Sequence, residues 1–150
     1  MSGIYLDVQS SLLAFCKETK EAISLDDFQV FDFDSNATLN KLPDADLIGI
    51  AEYSLENDEE THIGSCSFVV CTLADDANLR RLRPVVDYLY SKLEPGFAIP
   101  IVRTVDGEPI GQAIVMRPTA ALPLTTTEVR PLIEIVLRFG LALENPPSLD

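Results

Sequence analysis

"LIGIAEYSLENDEETHIGSCSFVVCTL", residues 47–73, decides how this chain is read. Its first part, 47–55, and its last, 61–73, are rich in β-branched and aromatic residues, as strands are. Between them stands ENDEE, five polar residues of which four are acidic. Two strand-like runs joined by so short a polar link predict an antiparallel hairpin with an acidic tip. The flanking segments are then assigned by how they can cover or extend that hairpin.

Downstream, AIPIVRTV and IGQAIVMRP are joined by DGEP, and Asp106-Gly107 between two β-rich runs is a strong hairpin signal. The chain closes on LIEIVLRF, an alternating run with Glu134 and Arg138 among apolar residues, which reads as a final strand. Upstream, FQVFDF reads as a short strand.

Two segments read as helices. Over residues 3–23, Ile4, Val8, Leu12, Phe15 and Ala22 recur at close to helical spacing, with Ser2 or Gly3 available to start the helix. DDANLRRLRPVVDYLYSKL carries Leu79, Leu82, Val86, Leu89 and Leu93 on one stripe. Asp75 or Asp76 suits its N-cap, and Pro95-Gly96 ends it. Pro84 lies inside that stretch and requires a kink or a restart there.

The order is helix, strands, helix, hairpin, final strand. It predicts an α+β fold: a mixed, mainly antiparallel sheet with two helices packed against it. There is no regular βαβ alternation, so a doubly wound nucleotide-binding fold is disfavoured. At 150 residues the chain is expected to form a single domain, 1–150, with a short loose tail from about 144.

Charge limits the function. The chain has 24 acids against 11 bases, net −13, and the imbalance is concentrated. Residues 1–60 hold 14 acids and 3 lysines, net −11, while residues 61–150 are close to balanced at −2. Tight nucleic-acid binding needs lysine and arginine to displace counterions, so such a role is disfavoured. No apolar run reaches the roughly 18 residues of a membrane span, and the start has no basic stretch typical of a signal peptide. A soluble protein is expected.

Cys16, Cys66 and Cys71 form no CxxC pair, and His62 is the single histidine. Three reduced, mostly buried thiols and no zinc site are expected. Cys66 and Cys71 are an odd number of residues apart, so on one strand they face opposite ways.

The segment VFDFDSNATLNK, 30–41, raises the question of catalysis. Asp32 and Asp34 match the paired aspartates that open the haloacid dehalogenase-type phosphatase motif, apolar-Asp-x-Asp-Gly-Thr. Here SNA stands where one glycine would precede Thr38, and the downstream lysine and acidic pair are missing, since Lys92 is near a helix end and Asp75-Asp76 read as caps. A calcium loop fares no better, with Ala37 at its glycine position and Pro43 where a bidentate glutamate belongs. The two carboxylates therefore read as a solvated strand end. No GxGxxG or GxxxxGK[ST] phosphate cradle occurs, and His62 has no nucleophile motif around it. No catalytic residue, metal site or cofactor is assigned.

The strand SCSFVVCT, the helix NLRRLRPVVDYLYSKL, the strand pair around IPIVRTVDGEPIGQAIV and the closing EVRPLIEIVLRF together resemble the tail-terminator family of long-tailed phages and prophages, minor tail protein U-like. The N-terminal helix fits the same plan. The resemblance implies a structural, non-enzymatic α+β subunit that forms a hexameric ring. That ring caps the finished tail tube, joins it to the head–tail connector proteins, and lets DNA pass through without specific binding. It also implies a place in the virion tail, reached from the host cytoplasm during assembly. A ring with two unlike patches per subunit would then use Arg80, Arg81 and Arg83 as the basic half. The acidic stretch Glu56, Asp58, Glu59 and Glu60 would line the lumen or face a partner. The alternatives are a small acidic cytoplasmic adaptor that binds one partner and, further off, a magnesium-dependent phosphatase using Asp32 and Asp34.

Overall fold

The computed structural model describes residues 3–25, 27–34, 43–57, 62–73, 76, 79–118, 122–123 and 131–143. In chain order the elements are α1 (Ile4–Ala22), β1 (Phe28–Asp32), β2 (Asp46–Asn57), β3 (His62–Cys71), α2 (Leu82–Lys92), β4 (Ala98–Val102), β5 (Pro109–Pro118), β6 (Leu122–Pro123) and β7 (Leu132–Leu143). The strands form one mixed sheet in the order β1-β2-β3-β7-β5-β4, with the two-residue β6 paired beside β7. All pairings are antiparallel except β1 with β2. The fold is α+β.

Both hairpins form where the sequence places them. β2 and β3 pair from Leu47↔Cys71 to Asn57↔His62, with a bulge between Ala51 and Ser54. β4 and β5 pair across the Asp106-Gly107 turn, where Gly107 takes φ 73°. The sequence reading sets neither the place of the last strand nor the direction of the first. β7 is longer than LIEIVLRF and lies in the middle of the sheet, between β3 and β5. β1 runs parallel to β2.

Alternation along the central strands makes the core. Cys66, Phe68 and Val70 of β3 and Ile135, Leu137 and Phe139 of β7 are buried on one face. Val8, Leu12, Phe15 and Cys16 of α1 cover that face, with Leu82, Val85, Val86 and Leu89 of α2. Each such large side chain is worth about 2 kcal/mol relative to full exposure, so this shared core holds both helices on the same side. α1 touches β1 and β2 near one edge of the sheet and β4 at the other. The sheet therefore curls around α1.

α2 begins later than its apolar stripe predicts. The expected helix start at Asp75 or Asp76 gives way to a tight turn in which Leu79 adopts φ 57° and its N–H donates to the Asp76 carbonyl. Helix begins only at Leu82. This resolves Pro84: it sits in the first helical turn, where its missing N–H would have had no intrahelical partner. The N-cap residue is Arg81 and not Asp76, yet the Asp76 carboxylate reaches the amides at the helix start. It accepts from the N–H groups of Arg81 and Leu82, at 3.0 and 3.3 Å, and from the Thr72 hydroxyl at 2.9 Å.

Cys16, Cys66 and Cys71 are all buried thiols outside any disulfide. Cys16 and Cys66 belong to the core between α1 and β3, while Cys71 lies outside that cluster, as the odd spacing along β3 requires. Burial, reinforced by their mutual proximity, pushes the Cys16 thiol far up, and burial does the same to Cys66. Neither forms thiolate in the folded state at neutral pH. The native protein should therefore resist alkylation by iodoacetamide at pH 8 and take up three adducts once denatured, as read by mass spectrometry. Fast labelling of native Cys16 or Cys66 would contradict this packing.

Candidate functional site

The Asp32–Asp34 pair lies at the end of β1, and its carboxylates are taken up within the chain. Asp34 accepts the backbone N–H groups of Glu52 and Tyr53, at 2.7 and 2.9 Å. These are the donors that the β2 bulge turns off the ladder, where Glu52 adopts φ 52°. Asp32 accepts the Asp34 N–H at 3.1 Å and the Gln9 side-chain amide at 3.3 Å. The Tyr53 hydroxyl donates to the Tyr5 carbonyl at 2.7 Å, with the two rings 4.6 Å apart, so α1 grips the same bulge. The reading of these acids as a solvated strand end is corrected for Asp34, which is the internal anion of a backbone nest.

Asp34→Ala should accordingly cost about 1–2 kcal/mol, because it strips partners from two N–H groups in a strained segment. Urea unfolding followed by circular dichroism measures it. A change within experimental error would show that water replaces the carboxylate without loss.

Other acids are equally committed. Asp7, nearly buried in α1, accepts the Thr104 N–H at 2.9 Å and the Thr104 hydroxyl at 2.8 Å. Asp46, 5% exposed at the start of β2, accepts the Leu73 N–H and the Arg81 Nε, at 2.9 and 2.8 Å. Among the described residues no three of His, Cys, Asp and Glu converge as metal ligands. His62 sits at the start of β3 across from Asn57.

The three arginines expected to act together are divided by the fold. Arg81 is drawn inward by Asp46 and ties the start of α2 to the start of β2. That correction removes it from the free basic patch. Arg80 and Arg83 flank it, both exposed, with no ion pair among the described residues. Of the acidic candidates, Glu56 is exposed near the end of β2, 3.9 Å from Arg138. At that separation and exposure the pair contributes little. Together with Ile63, Gly64 and Ser65 these two line a shallow notch of about 70 Å³. Asp58, Glu59 and Glu60 lie outside the described residues.

β2 is the ruler between these patches. Arg81 is anchored at its first residue and Glu56 is next to its last, so these two points stand about 30 Å apart along the strand. The roles of Asp7 and Asp46 have no local sequence signal, since their donors come from residues 97 and 35 positions away. Among the described residues no helix is long and apolar enough to cross a membrane. No family model matches the chain, and no curated protein matches it.

Proposed function

We propose that the protein is a structural, non-enzymatic ring subunit of a phage or prophage tail, tail-terminator-like, that assembles as a hexamer. The observation that carries this reading is the placement of unlike charges at the two ends of β2. A heterologous ring needs two different, complementary patches on each subunit, displaced so that a head-to-tail contact closes. Arg80 and Arg83 at one end and Glu56, beside Arg138, at the other are the unlike charges such a contact would use. The resemblance of the element order to that of tail-terminator proteins supports the same reading. The carboxylates that most invite a catalytic interpretation are hydrogen-bonded to their own backbone. In such a ring the acidic N-terminal half would keep the lumen from holding DNA phosphates. The ring would cap the tail tube and meet the head–tail connector proteins in the virion.

Subunits of net charge −13 repel, so rings are expected to form more readily as salt rises to physiological strength, where the Debye length is about 8 Å. Arg80→Glu with Arg83→Glu should leave folded monomers, since both side chains are exposed and neither makes an ion pair among the described residues. Light scattering after size exclusion, with negative-stain imaging across protein concentration and salt, decides between outcomes. A strict monomer under all conditions that does not bind tail tubes favours the acidic adaptor. Rings that survive the charge reversal keep the function but place the contact elsewhere.

A further inference from the structure

The two edges of the sheet are finished differently. On β4 the N–H groups of Ile99 and Ile101 point to β5, so the backbone nitrogens of Ala98, Pro100, Val102 and Thr104 face outward. Proline has no N–H to offer. The Val102 N–H is taken by the Ser11 hydroxyl at 3.0 Å and that of Thr104 by Asp7. Three devices close this edge against a further strand.

On β1, the opposite edge, the Phe28 N–H is taken by the Leu25 carbonyl at 3.3 Å, and among the described residues no such device covers Val30. The Phe33 N–H bonds to the Ile50 carbonyl, so alternation turns Gln29, Phe31 and Phe33 toward β2 and aims the backbone of Val30 outward. Val30 is also 37% exposed, and among the described residues no strand or side chain bonds to its backbone. Its surroundings in the sequence are acidic: residues 21–40, between Lys20 and Lys41, contain five acids and no base. Asp27 precedes β1, fully on the surface, and Glu52 is exposed on the adjoining bulge.

We infer that the outer edge of β1 is a strand-addition site for an extended, lysine- or arginine-bearing segment of a partner protein. Main-chain hydrogen bonds at Val30 supply the docking, and the acids around β1 select the charge of the incoming strand. A second copy of this chain is disfavoured as the occupant: its β1 brings the same five acids, and its β4 edge is closed. The inference is independent of ring formation through Arg80 and Arg83.

The test uses the full chain and two acetylated probe peptides, one alternating lysine with valine and one alternating glutamate with valine. Amide exchange at Val30 is read by NMR, and binding by fluorescence anisotropy at low salt. In the free monomer the Val30 amide should exchange rapidly, and the lysine peptide should slow it about tenfold or more, with the glutamate peptide inert. Val30→Pro should abolish binding, because edge strands tolerate proline but this one loses its docking donor. Asp27→Lys should weaken binding without touching the strand, and it decides the matter together with wild-type exchange if Val30→Pro fails to fold. Slow exchange at Val30 in the free monomer would overturn the inference, since the chain would then cover its own edge. Protection that rises with protein concentration alone would assign the edge to a second copy and overturn it too. Binding equally strong in folded Val30→Pro would place the peptide elsewhere.

Discussion

Replacing Gly49 by alanine should detach β1 and cost about 4 kcal/mol or more, enough to leave the protein largely unfolded at 37 °C. Gly49 is buried opposite Phe31 in the parallel pair. A Cβ there would run into the Phe31 carbonyl oxygen, come to 2.8 Å from its carbon, and press on the Phe33 ring at 3.2 Å. The obstacle is backbone, so no rotamer change relieves it; the strands must separate. With β1 go the buried Phe28 and the Asp34 clamp on the bulge. Two other glycines calibrate the claim. At Gly64 an added Cβ meets the Phe139 ring and Leu55 Cδ2, the latter at 2.7 Å, which are side-chain ends that can shift at a cost. At Gly140 it meets only Met116, at 3.6 Å, an ordinary contact. Thermal unfolding of the three alanine variants should rank Gly49 far below Gly64, and Gly64 below Gly140. A Gly49→Ala protein with near-native stability and protected amides in β1 would contradict the parallel pairing.

This dependence on Gly49 also marks where sequence reading stops. The hairpins were legible because their causes are local: alternation in LIGIAEYSL and SCSFVVCTL, and a glycine free to take positive φ after Asp106. The stripe of α2 was legible for the same reason. Its first residue was not, because the start is set by Asp76 reaching forward to the amides of Arg81 and Leu82 while Leu79 turns left-handed. No local pattern encodes the direction of β1. Charge misled most. Composition counts every acid as surface, yet Asp7 and Asp46 are buried under donors supplied by distant segments, and Asp76 under the Thr72 hydroxyl and the first amides of α2. Arg81 belongs with them, since its partner Asp46 is invisible from RRLR. Of the candidate interface, the exposure of Arg80, Arg83 and Glu56 follows the sequence reading, and the β2 span that separates them needed the fold.

Asp76→Asn should be strongly destabilising at neutral pH and much less so in acid. The carboxylate is 4% exposed and holds the first amides of α2 together with the Thr72 hydroxyl. Asparagine keeps one acceptor but turns an NH₂ toward donors, leaving a buried clash of hydrogens worth about 3 kcal/mol, or a fall in Tm of about 10 °C. The pH dependence has a definite sign. Burial alone would raise the Asp76 pKa; the Arg81 N–H, the Thr72 hydroxyl, the Arg81 charge and the Leu82 N–H outweigh it and hold the carboxyl below its ordinary value. A group depressed in the folded state contributes its full stability above the unfolded pKa, about 3.9 for aspartate. That contribution is lost as pH falls through the lower, folded value. The gap between wild type and Asp76→Asn should therefore be constant from pH 7 to about 5 and close below pH 4, because the protonated wild-type carboxyl comes to resemble the amide. Urea unfolding followed by circular dichroism at pH 7, 5 and 3 measures it. A gap that persists unchanged at pH 3 would mean that the side chain acts through shape alone and not through its charge.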